Sequence, residues 1–155
     1  MKNLSKHKDK VNARELLVQA LYEFSFGHND AESIEESFRK DFTKTKVDYI
    51  FFRNIFSHVT SNFERLKDLV HQSAELELFG IKNIETMEEN ILLLSLAESE
   101  LENTHRNILI DEGVRLSKKF GADNSYKFIN ATLEKILESN SVSYTHLTLP
   151  TKRIV

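Results

Sequence analysis

Apolar residues recur three and four apart along this chain from about residue 12 to residue 138. Leu16, Leu17, Ala20, Leu21 and Phe24 form the first such stripe, with Arg14, Gln19 and Tyr22 away from its centre. Gly27 to Asp30 breaks it. Ala31 to Phe42 carries Ile34, Phe38 and Phe42 spaced by four. Val47 to Val70 reads as one longer helical stretch, with Ile50, Phe51, Ile55, Val59, Phe63, Leu66 and Val70 as its stripe. Leu76 to Ile81 is a short apolar piece that stops at Gly80. From Ile91 to Ala97 the pattern is apolar nearly all round, which places that helix at the centre of a small bundle. Thr104 to Phe120 follows, with Ile110, Val114 and Ser117 on one face. A last helix runs to about Glu138 with Phe128, Ile129, Thr132, Leu133, Ile136 and Leu137 on its stripe. Asn12 with Glu15, and Thr86 with Glu89, have the spacing of capping boxes. No run alternates with the period of a strand. The expectation is an all-α fold, one domain of about seven helices.

The stretch from Gly113 to Ile136 carries the most chemistry. Its first segment ends on Phe120 and Gly121, and a glycine there serves as a C-cap because it takes positive φ without a Cβ clash. Asp123 and Asn124 offer N-cap oxygens to the next helix. Lys118, Lys119 and Lys127 lie on either side of the link, with Tyr126 and Phe128 nearby. Lysines, rings and a helix N-terminus together suit a phosphate backbone and a stacked base. A capped hairpin with solvated lysines and a core phenylalanine accounts for the same residues, and the pattern leaves both readings open.

Composition narrows the class. The chain has 155 residues, 40% hydrophobic and 29% charged, as in an ordinary globular domain. There is no cysteine, so neither a disulfide framework nor a thiolate metal site is expected, which fits a reducing cytoplasm. The net charge of −3 means that any affinity for nucleic acid has to come from a local patch. Residues 1–11 carry Lys2, Lys6, Lys8 and Lys10 against Asp9 alone. They read as a flexible basic arm or simply as a solvated terminus. The start is charged and no signal peptide is expected. Residues 141–155 depart from the pattern: Thr, Ser and β-branched residues dominate, and the one proline, Pro150, is here. The string YTHLTLPT resembles read-through of adapter DNA, so this segment is set aside as a non-native tail; a natural tail is the alternative.

No enzyme site emerges. The six histidines never pair at the spacing of a zinc protease. Asp111 and Glu112 are adjacent and point about 100° apart on a helix, so they do not face each other as an acid and base. There is no Gly-rich phosphate loop and no nucleophile elbow. No metal or cofactor is expected. Glu98, Glu100, Glu102, Asp111 and Glu112 gather around one helix connection, either for solubility or as a dock for a basic partner.

The run KKFGADNSYKFINATLEK, Lys118 to Lys135, resembles the C-terminal signature of the NusB family of transcription antitermination factors, roughly AK-x-FG-x-x-x-S-x-KFVN-x-VLD-K. Ala13-Arg14-Glu15 with Val18-Gln19-Ala20-Leu21-Tyr22-Glu23 is similar to that family's ARE-x-x-x-QALY. Asp48-Tyr49 and Phe52-Arg53 are similar to its D-x-x-Y-F-R element. The three motifs fall in family order and cover about residues 12 to 138.

The resemblance implies two packed three-helix bundles, with residues 12–140 as a NusB-like RNA-binding domain. It implies an RNA-binding antitermination factor that holds single-stranded boxA RNA together with the ribosomal protein NusE, within a complex on RNA polymerase, and supports ribosomal RNA transcription. Some relatives form a homodimer. By this resemblance Lys6, Lys8, Lys10 and Arg14 contact phosphates at one edge, and Lys118, Lys119 and Lys127 at the other. Gln19, Ser125 and Asn130 hydrogen-bond bases or backbone. Tyr22, Phe120 and Phe128 are stacking candidates, and Glu98, Glu100 and Glu112 form the dock for the partner. There are departures: Ser95 and Ser99 stand where Arg and Tyr are common, and Asn124 replaces an often acidic residue. Two alternatives remain, the NusB-like domain of a ribosomal RNA methyltransferase and a helical protein–protein adaptor.

Overall fold

The structure, a computed structural model, describes residues 7–42 and 46–148, and side chains within 7–40 and 46–138. Seven helices and no strand lie among the described residues: α1 (Lys8–Ser25), α2 (Ala31–Phe42), α3 (Tyr49–Ser61), α4 (Phe63–Ser73), α5 (Thr86–Leu101), α6 (Arg106–Phe120) and α7 (Ser125–Thr148). None is long and apolar enough to cross a membrane.

The helix that is apolar all round sits at the centre. Every residue of α5 from Asn90 to Glu98 is buried, and α5 touches α1, α3, α4, α6 and α7. On one side α1, α2 and α3 pack together; on the other α6 and α7 pair and close over α5, and α4 lies along α5 and α7. The two expected groups therefore share one core, which runs from Leu17 and Leu21 through Leu92 and Leu96 to Ile129 and Leu133. Stacked rings of Phe38, Phe52 and Phe56 fill the first group, and Phe24 stands edge-on to Phe56 and Phe63.

Four boundaries differ from the sequence reading. The stretch from Val47 to Val70 is two helices, broken at Asn62, whose φ is −120° and whose side-chain amide donates to the His58 carbonyl at 2.9 Å. The apolar stripe crosses this bend without a gap, so periodicity could not reveal it. α1 begins at Lys8, so Lys8 and Lys10 belong to a helix rather than to the flexible arm. Asn12 is not a cap; its amide donates to the Lys46 carbonyl at 2.8 Å. Glu85, not Thr86, precedes the first turn of α5, and no side chain caps it. The backbone of α7 continues past Glu138 to Thr148.

Gly113 explains how α6 and α7 come so close. A Cβ there would stand 2.5 Å from Cδ1 of the buried Leu133. The atom met is the tip of a side chain, but Leu133 is fully buried and has no open space to turn into, so Gly113→Val should lower the unfolding free energy by about 1–3 kcal/mol. Urea denaturation measures this, and an unchanged midpoint would show that the contact has slack.

Candidate nucleic-acid interface

Arg14 organises the region where the site candidates meet. It is 4% exposed. Its Nε and Nη2 donate to the two oxygens of Glu98 at 2.9 and 2.7 Å, and its Nη1 donates to Glu112 at 3.0 Å. The Thr104 hydroxyl donates to Glu98 as well. Glu112 accepts from Nε and Nη2 of Arg115 at 2.7 and 3.0 Å. Arg115 and Lys119 then both donate to Glu15, at 2.6 and 2.9 Å. Three cations and three carboxylates alternate in one chain of contacts that ties α1 to α5 and α6. Burial works against the charge of Arg14, but the bonds to Glu98 and Glu112 win and hold its pKa above the ordinary value. Burial likewise pushes Glu15 up, and the bonds from Lys119 and Arg115 more than reverse that, leaving its carboxyl below the usual range.

This geometry corrects two expectations. Arg14 is not a phosphate contact, because its guanidinium is inside the protein and its donors are spent on carboxylates. Glu98 and Glu112, 1% and 5% exposed, are not an open dock for a partner. Glu100 is nearer the surface but accepts from both terminal nitrogens of Arg65 and pairs with His58 at 2.7 Å. Of the acids that looked surplus in the sequence, Glu98, Glu100 and Glu112 are matched by bases far away along the chain. Ser95 also proves buried, with its hydroxyl on the Ile91 carbonyl, so an arginine missing there costs no surface contact.

The surface candidates fall into three places. On α1, Gln19 is exposed one turn after Glu15, and Tyr22 follows at 38% exposure with its ring edge-on to Phe26. The Lys119–Glu15 pair brings the end of α6 beside this line. At that end Lys119 lies 5.7 Å from the half-buried Phe120 ring, and Lys118 lies 4.7 Å from the Tyr126 ring. At the start of α1, Lys8 is exposed, whereas Lys10 is paired with Asp48 at 2.7 Å and so carries little free charge. Lys6 lies outside the described residues.

The link between α6 and α7 is built differently from the expectation. Gly121 has φ −92° and is not left-handed; Asn124 takes the positive φ, at 68°. Gly121 is needed for space, since a Cβ would lie 2.7 Å from a Glu88 oxygen and 2.8 Å from the Ser117 carbonyl. The buried Glu88 accepts the Ala122 N–H at 2.8 Å and so holds the link onto α5. Beside it opens a cleft of about 590 Å³, with Phe79, Ile81 and Ile84 on one wall and Asn124, Ser125 and Lys127 on the other. The Ser125 hydroxyl is buried there without a hydrogen-bond partner among the described residues. Phe128 is 2% exposed and edge-on to Phe79, so it is core rather than a stacking platform. Asn130 is half-buried. Glu88 and Arg115 were missed by the sequence reading, and Asp48 entered it only as part of a family motif, not as the partner of Lys10. Only Glu112, Arg115 and Lys119, spaced three and four apart on α6, left a legible trace.

The NusB family model matches residues 11–138. Similar proteins include the transcription antitermination protein NusB of Sodalis glossinidius, 35% identical over 80% of this chain and 88% of its own length. That of Klebsiella pneumoniae is 35% identical over 79% and 87%, and that of Erwinia tasmaniensis is 36% identical over 79% and 87%.

The carboxyl of Glu15 is held below its ordinary value of 4.5, so its contribution to stability is full above that pH and is lost as pH falls through the lower folded value. Glu15→Gln should therefore flatten the loss of stability between about pH 6 and about pH 3. Urea unfolding at the two pH values checks this; an equally steep loss in the variant would contradict it.

Proposed function

Because the chain belongs to the NusB family, we propose that it is an RNA-binding transcription antitermination factor and not an enzyme. In this reading it binds single-stranded boxA RNA together with the ribosomal protein NusE, joins a complex on RNA polymerase, and supports ribosomal RNA transcription. The observation that carries it is the Lys119–Glu15 pair, which sets the lysine-bearing end of α6, with Lys118 and Lys119, beside the exposed line of Gln19 and Tyr22; Lys127 is exposed just across the α6–α7 link. A net acidic protein with so local a patch binds RNA modestly, and a basic partner that extends the patch strengthens it. Single strands are held by stacking and by hydrogen bonds to base edges, not by a groove. Tyr22 and Phe120 offer rings, Gln19 and Asn130 offer polar atoms, and Lys8, Lys118, Lys119 and Lys127 offer charge to phosphates; the hydroxyl of Ser125 is buried and does not reach the RNA. The relatives, matched over most of their length, carry the name transcription antitermination protein NusB, which supports this reading over the methyltransferase domain.

Lys118 and Lys127 have no part in the buried ion-pair chain, so they are the cleaner pair to test. Lys118→Gln with Lys127→Gln should weaken binding to a labelled boxA-like RNA alike across sequences. The salt dependence, as the slope of log K against log salt, should become shallower by about 1.4. Titration at two salt concentrations, with and without NusE, measures both. Unchanged binding in every arm would favour the adaptor.

A further inference from the structure

A second cationic surface lies on the other side of the first turn of α1, where α2 meets α3. The guanidinium groups of Arg39 and Arg53 each lie 5.6 Å from the centre of the Tyr49 ring. The Tyr49 hydroxyl donates to Glu35 at 2.8 Å, which fixes the ring. Glu35 stands 3.7 Å from Arg39, a long pair that leaves most of that fork unused. No ion pair forms at Arg53 among the described residues, and both arginines are exposed. A guanidinium held over a ring face by a cation–π contact loses less freedom on binding, and its planar fork suits two-pronged contact with phosphate.

This surface is continuous with the start of α1. Lys10 bonds to Asp48, the residue that caps α3, and Asn12 bonds to the carbonyl of the exposed Lys46. Arg53 lies five residues past Asp48, roughly 7.5 Å along the helix. The exposed Lys46 lies just before α3, and Arg53 and Arg39 meet at Tyr49 in its first turn. Asp48 and Glu35 offset Lys10 and part of Arg39, and neither offsets Arg53.

We propose that RNA held on the α1–α6 face continues past the first turn of α1 onto the α2–α3 surface, where Arg39 and Arg53 each bind a phosphate of the nucleotides flanking the recognised element. This rests on the RNA reading above. It assigns these arginines to the length of RNA bound, not to the choice of sequence, because phosphate contacts carry no sequence information.

The test uses the whole chain and three RNAs: the core element, and the core extended by about eight nucleotides at its 5′ or its 3′ end. One of the two extensions should tighten binding and steepen the salt slope by about 1.4, the value for two phosphate contacts on a single strand. Arg39→Gln with Arg53→Gln should abolish that gain and leave binding of the core RNA unchanged, which also reports that the variant is folded. Arg39→Lys with Arg53→Lys should keep part of it. If neither extension adds affinity, or if the gain survives in the glutamine variant, this inference is overturned while the RNA reading stands. If the core RNA itself does not bind, both fall.

Discussion

Arg14 holds a full positive charge almost entirely out of water, and the three helices that meet at it can adopt only the register that satisfies it. Taking such a charge from water costs several kcal/mol, and attraction between ions repays this only when geometry is good and every donor is used. Here each of the three guanidinium nitrogens donates to a carboxylate. Glu98 of α5 takes two nitrogens of the guanidinium in parallel, Glu112 of α6 takes the third, and Phe51 of α3 lies 5.3 Å beneath it. If α1 slid by one turn along α5, the buried Glu98 would lose its cation and keep only the Thr104 hydroxyl. The outward line of α1, with Gln19 and Tyr22, and the lysine-rich end of α6 are positioned by that inner contact.

The same chain of ion pairs decides which cations are open to a ligand. Lys119 and Arg115 are spent partly or wholly on Glu15 and Glu112, and Lys10 is spent on Asp48. Lys8, Lys118, Lys127, Arg39 and Arg53 keep their charge at the surface. A protein of net charge −3 thus presents localised basic ground. Binding there is governed by a few contacts and by salt, not by the overall charge.

The helices, and the central place of α5, were legible because burial on all sides leaves an uninterrupted apolar run. Boundaries were less so. Asn62 bends the chain while the stripe continues, and Lys8 starts a helix whose first turn looks like solvated polar sequence. The site was half legible. Lys118 and Lys127 stand out because they flank a helix link, and the surface confirms their exposure. Arg14, Glu98 and Glu112 misled because a charged residue in a sequence looks solvated. Its partner lies 84 or 98 residues away, and nothing in local spacing reports that. The glycine at 121 was seen, but for the wrong reason: Glu88 and the Ser117 carbonyl crowd it, while its φ is ordinary.

The central claim is that Arg14 is an internal post rather than part of the RNA surface. The most direct measurement is the unfolding free energy of Arg14→Met, read together with the salt dependence of its RNA binding. Removing one partner of a buried ion pair strands the others, so stability should fall by about 3–5 kcal/mol. The salt slope of the molecules that remain folded should match that of the unaltered protein. A variant as stable as the original, with a slope shallower by about 0.7, would place Arg14 on a phosphate and contradict the account.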